Sequence, residues 1–160
     1  MDSHEEVLVY RWLLKALELG IVKSFRYQPV TFVLAPKAEY MDGLKKRHLF
    51  REHVYSPDFE IEVDPKRKDL VKEFKLLDRN RIYVDVKGSF NRNQRSFSMD
   101  QKWVFQKTGY YIYKLEPKKF FRKFGILEEF RFTEKTKKPS KVFEGYPLVS
   151  EVFGLKSRSA

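Results

Sequence analysis

The segment Arg81-Ile82-Tyr83-Val84-Asp85-Val86-Lys87-Gly88 constrains this chain more than any other stretch of it. It is a β-forming run closed by glycine, and side chains alternate between the two faces of a strand. Asp85 and Lys87 therefore share one face, while Val84 and Val86 share the other. A carboxylate and an ammonium set among core residues are costly to place without partners. A second acid stands in a comparable setting 27 residues earlier, in Tyr55-Ser56-Pro57-Asp58-Phe59. If the two strands adjoin, the carboxylates of Asp58 and Asp85 lie side by side. Like charges repel unless a cation separates them, and hard divalent ions such as Mg2+ prefer oxygen ligands. Lys87 is then placed to orient or help activate a water, or to balance phosphate charge. Such an assembly suits phosphodiester hydrolysis, because a bound metal acidifies water and polarises a phosphoryl oxygen.

The remaining composition fits this chemistry. The chain has 160 residues, room for one domain with a real core, and its 15 Phe and 9 Tyr exclude a disordered polymer. There is no cysteine, which excludes disulfides and thiolate metal sites; with only three histidines, a zinc centre of the Cys/His type is disfavoured. The formal charge of +11 concentrates polyanions, of which nucleic acid is the commonest. The opening residues lack the pattern of a signal peptide, and no apolar run approaches a membrane span. A soluble cytoplasmic protein without a membrane partner is expected.

Periodicity predicts a helix from His4 to Leu19, with Ser3 as its cap, Leu8, Trp12 and Leu13 on its apolar face and Gly20 as its end. Strands are predicted over Phe25–Leu34, His53–Val63, Arg81–Lys87 and Tyr110–Leu115. Shorter helices are predicted over Asp69–Leu77 and Pro117–Phe124. A longer one, over Ser98–Thr108, has Trp103, Val104 and Phe105 as core candidates. Ala35–Arg51 is basic and poorly periodic and is expected to be a loop; Glu134–Ser140 is turn-like. The expected fold is α/β (mixed α+β), a central mixed sheet flanked by helices, in one domain over 1–155 with a frayed tail at 156–160.

Pro57-Asp58 followed by Asp85-Val86-Lys87 resembles the PD-(D/E)XK nuclease superfamily. The order of a helix-borne Glu, then Tyr-Ser-Pro-Asp-Phe, then acid-x-Lys-Gly is similar to phage-type members, including Holliday-junction-resolving endonucleases. The resemblance covers roughly Ser3 to Leu115. It implies a restriction-endonuclease-like core and a Mg2+-dependent endonuclease acting on DNA, with Mn2+ able to substitute and no small-molecule cofactor. Asp58, Asp85 and the Val86 carbonyl would bind the metal, with Glu6 completing the set (Glu5 is the fallback) and Lys87 acting on the attacking water. Gln101 or Lys102, on the next helix, would sit near the phosphate. Arg92 and Arg95, in the polar stretch after Gly88, and Lys45-Lys46-Arg47 are the candidates for nucleic-acid contact. Cutting branched DNA would call for a homodimer.

Plainer readings stand beside these. Asp58 can cap a turn after Pro57, Asp85 and Lys87 can form an ordinary ion pair, and a capping box alone accounts for Glu6. His4, His48 and His53 are too few for a motif, although His53 lies near Asp58. Phe120, Phe121, Phe124, Phe130 and Phe132 form either a dimer surface or a core. The alternative function is a non-catalytic nucleic-acid-binding protein on the same scaffold, and RNA is the alternative substrate.

Overall fold

The computed structural model describes residues 3–76, 79–88 and 94–155, residue 94 by its backbone alone. The chain divides into two compact units. A sheet unit comprises Ile21–Asp85 and Phe90–Lys114; a terminal unit comprises Met1–Gly20, Val86–Ser89 and Leu115–Ala160. The class is mixed α/β around a central mixed sheet.

That sheet has four strands in the order β1(Val22–Tyr27), β6(Phe59–Val63), β7(Arg81–Val86), β8(Ile112–Leu115). β1 and β6 run antiparallel with Phe25 opposite Ile61; β6 and β7 run antiparallel with Phe59 opposite Val84. The parallel component is therefore β7 with β8. The two are joined through α3(Gln94–Thr108), the crossover that a parallel pair requires. α2(Lys68–Glu73) starts one residue before the predicted helix Asp69–Leu77 and stops at Glu73; Leu77 falls outside the described residues.

Three expectations about the strands of this unit are corrected. Phe25–Leu34 is not one strand: β1 stops at Tyr27 and β2(Phe32–Ala35) joins a different sheet. Gln28 takes φ 47 there, and Pro29 offers no N–H to continue a ladder. His53–Val63 breaks in the same way, at Ser56-Pro57-Asp58, into β5(His53–Tyr55) and β6; β5 pairs with β2, placing Tyr55 opposite Phe32. Ala35–Arg51 is not a loop but a hairpin, β3(Ala38–Asp42) with β4(Lys45–Phe50), turning at Gly43 with φ 64. Its periodicity was illegible because every residue of β4 is exposed, so neither face is required to be apolar.

In α3, Val104 is fully buried but Trp103 and Phe105 are exposed, which corrects their assignment to the core. The buried positions of α3 are Phe97 and Val104, two turns apart on one stripe, and residues beside that stripe turn away from it. Leu34, Tyr55, Phe97, Val104 and Ile112 form one cluster, with Phe32 and Tyr83 packed against it.

In the terminal unit, α1(His4–Glu18) starts at Ser3, whose hydroxyl accepts the Glu6 N–H at 3.1 Å, and ends before Gly20 at φ 73. Trp12 is buried and its indole N–H donates to the Gly125 carbonyl at 3.1 Å. α4(Pro117–Phe124) and a 3-10 turn at Glu128–Arg131 bury Phe120, Phe121, Phe124 and Phe130 with Phe143. These four are core, so only Phe132 of the five phenylalanines is exposed. At Gly125 φ is 95, and a Cβ would meet Val149 N of α5(Val149–Val152) at 2.5 Å, so glycine is required. No helix among the described residues is long and apolar enough to cross a membrane.

Candidate functional site

Asp58 and Asp85 stand at the same end of the paired strands β6 and β7, and the charges of both act on the Tyr55 phenol. Phe59 faces Val84 and Glu60 faces Tyr83; the same register carried one residue past the start of β6 would set Asp58 opposite Asp85. The backbone at Asp58 is still held on the other side, where its carbonyl accepts the Gln28 N–H at 2.8 Å. Residues directly opposite in an antiparallel pair have Cβ atoms about 4.5–5.5 Å apart. The Pro57 break fixes where this happens: it ends the β5 pairing, and the chain re-enters the central sheet at Phe59.

Alternation puts Glu60 and Glu62 on one face of β6, and Arg81, Tyr83 and Asp85 on the same face of β7. Along this row the acids meet different neighbours. Buried Glu60 lies between two guanidiniums, Arg26 at 2.7 Å and Arg81 at 3.0 Å. Glu62 accepts from the Ser24 hydroxyl at 2.9 Å. Asp85 is only 4% exposed and accepts a hydrogen bond from the Tyr55 phenol at 2.7 Å. Burial pushes the Tyr55 phenol well above the usual tyrosine range, and the negative charges of Asp85, Asp58 and Asp100 push it the same way. Tyr55 is thus a fixed hydrogen-bond donor at neutral pH, aimed at one oxygen of Asp85.

Sequence reasoning assigned no role to Tyr55 or Asp100 and placed Trp103 in the core. Tyr55 stands inside the quoted Tyr-Ser-Pro-Asp-Phe motif, so its signal was present. Asp100 and Trp103 sit three apart on α3 and meet His53: Asp100 Oδ1 is 2.6 Å from its Nε2, and the Trp103 ring stacks on it at 5.3 Å. His53 and Tyr55 are two residues apart on β5, hence on the same side of that strand. This spacing could have been found once α3 was read as carrying two stripes rather than one.

The other candidates are placed as follows. Gln101 donates its amide to the Ile112 carbonyl at 2.6 Å, joining α3 to β8, and Lys102 and Arg95 are exposed. Lys45, Lys46 and Arg47 are exposed on β4. Arg92 lies outside the described residues. Glu6, Val86 and Lys87 belong to the terminal unit. There Glu6 is buried in the first turn of α1, and the Lys87 N–H donates to the Leu115 carbonyl at 2.9 Å. Glu5, the fallback acid, stands beside Gly88: a Cβ at 88 would stand 3.2 Å from its Oε1.

Among the described residues no three His, Cys, Asp or Glu side chains are grouped to hold a metal ion. Two carboxylates nevertheless fit Mg2+, which keeps several waters and takes one or two protein carboxylates beside substrate phosphates. The Tyr55 phenol gives Asp85 a hydrogen bond of the kind that would orient a carboxylate toward a cation. Compared with known proteins, the chain matches no family model, no curated protein and no solved structure.

Proposed function

We propose that this chain is a Mg2+-dependent deoxyribonuclease that hydrolyses phosphodiester bonds, in the manner of the PD-(D/E)XK superfamily it resembles. The observation that supports the reading is a buried Asp85 bonded to Tyr55, with the charge of Asp58, which precedes the strand paired with β7, acting on the same phenol. Asp58 and Asp85 would hold the cation. When bound, the cation supplies Lewis-acid polarisation of the phosphoryl oxygen and lowers the pKa of a water.

The chain's own groups account for the rest. Tyr55 holds one Asp85 oxygen in place, so the carboxylate meets the substrate already oriented and needs no reorganisation. Burial around Asp85 limits competing water and strengthens its electrostatics. Lys87, two residues further along the chain, contributes the ammonium of the Asp-x-Lys pattern, which balances phosphate charge or orients the attacking water. In the reaction, water adds to phosphorus, the ester P–O bond breaks and a proton goes to the leaving oxygen. The net charge of +11 draws the polyanionic substrate in.

The test is nicking of supercoiled plasmid in Mg2+, with a four-way junction and matched RNA in the same panel. Asp85→Asn and Lys87→Ala should each lower the rate roughly a thousandfold, corresponding to several kcal/mol of lost transition-state stabilisation. EDTA should abolish cleavage. Folded, DNA-binding variants that still cut at the parental rate would end this reading.

A further inference from the structure

The hairpin from Phe32 to Tyr55 has a rooted half and a free half. At the root, β2 and β5 pair, Tyr55 donates to Asp85, and His53 is held by Asp100. Lys107 adds to this anchor by donating to the Val33 and Leu34 carbonyls at 2.9 and 3.2 Å. The free half is the β3–β4 ribbon, where every residue except Ala38 is exposed. A two-stranded ribbon alone in water is only marginally stable. This one also displays Tyr40, Met41, Leu49 and Phe50, and Leu44 at its tip is fully exposed.

The charge on the ribbon selects its partner. From Lys37 to Arg51 there are five basic side chains against two acidic ones. Both acids are engaged within the ribbon: Glu39 by Lys37 and Lys46, Asp42 by Arg47. The ribbon thus presents a net positive surface to a polyanion. Against a second copy of a chain carrying +11, the same surface is repelled. From Tyr55 to Leu44 the chain reaches at most about 35 Å at roughly 3.3 Å per residue, close to one helical turn of duplex. A two-stranded ribbon fits the major groove, and exposed apolar side chains are suited to base edges.

We propose that the β3–β4 ribbon is an arm that lies in a groove of duplex DNA about one helical turn from the phosphodiester at Asp58 and Asp85. Lys45, Lys46 and Arg47 meet backbone phosphates, and Leu44 meets the bases. This rests on the nuclease reading and adds the form of the substrate: duplex must extend beyond the cut.

The experiment compares the full chain with Lys45→Ala/Lys46→Ala/Arg47→Ala and, separately, with Leu44→Ser. Fluorescence anisotropy measures binding to a duplex of about three helical turns across a salt series. Hydrolysis of bis(p-nitrophenyl) phosphate in Mg2+ reports on chemistry too small to reach the arm. The triple variant should lose about tenfold or more in affinity and flatten the salt dependence by roughly two to three logarithmic units. Leu44→Ser should weaken binding with the salt slope unchanged. Both variants should hydrolyse the small diester at the parental rate. Parental affinity and slope in the triple variant would overturn the arm while leaving the nuclease reading intact. So would unchanged DNA binding with a parental dimer falling to monomer on sedimentation, which would make a second copy the occupant. A parent chain that neither binds DNA nor hydrolyses either substrate would sink both readings.

Discussion

The β6–β7 and β3–β4 ladders are both antiparallel and both carry acids, yet they treat them in opposite ways. On β6–β7, Glu60 and Asp85 are buried, the first between two arginines and the second beneath a phenol. On β3–β4, Glu39 and Asp42 meet lysine and arginine on a solvated ribbon. The same attraction is several times stronger where water is excluded than at the surface. Exposed pairs contribute little, whereas a buried acid deprived of a partner is expensive. The comparison teaches that the number of acids in a segment says little about chemistry; what faces each one, and how dry it is, decides.

Tyr55→Phe should sharpen that contrast most among the changes that spare the carboxylates. It removes the donor over a buried Asp85 oxygen and should cost about 1–3 kcal/mol in urea unfolding. On the proposed nuclease reading, in which Asp85 would hold the cation, it should also slow plasmid nicking about 10- to 100-fold. Wild-type cleavage would break the link between burial and function.

Next comes a matched pair, Glu60→Gln and Glu39→Gln. The first should lower stability by about 1 kcal/mol, a figure reduced because Arg26 and Arg81 are themselves largely exposed. The second should leave the urea midpoint where it is. Equal effects would show that the two ladders do not differ as described.

The smallest effect lies in alkali. The folded-state pKa of Tyr55 is raised above its unfolded value, so its contribution is fully present below about pH 10. It is lost as pH climbs beyond that, because only the unfolded chain releases the proton. Stability of the parent should therefore fall more steeply above about pH 10 than that of Tyr55→Phe, read from chemical denaturation across pH.

Much of this was legible in the sequence. Alternation in Arg81–Lys87 placed β7, and the cap and glycine bounded α1, because buried faces and helix ends impose residue types. The pairing of β6 with β7 followed from reading the two acidic motifs as neighbours. What stayed hidden has physical reasons. The β3–β4 hairpin buries neither face, so its strands carry no apolar alternation to read. The β1/β2 and β5/β6 breaks depend on which sheet each half joins, a non-local choice that Pro29 and Pro57 permit without dictating. Trp103 was expected in the core on hydrophobicity, but its ring covers the His53 imidazole across a separation of fifty residues, which no local pattern encodes.

Gly88 has a consequence of its own. Its φ is not in the left-handed region, so backbone freedom does not explain it. What the position withholds is a methyl group, and the vacancy is filled by the carboxylate of Glu5. Any larger residue there would be accommodated by swinging that flexible side chain aside, at little cost to folding. The glycine closing the Asp-x-Lys run thereby leaves room for an acid more than eighty positions upstream, and an alanine would press on that carboxylate with the scaffold intact.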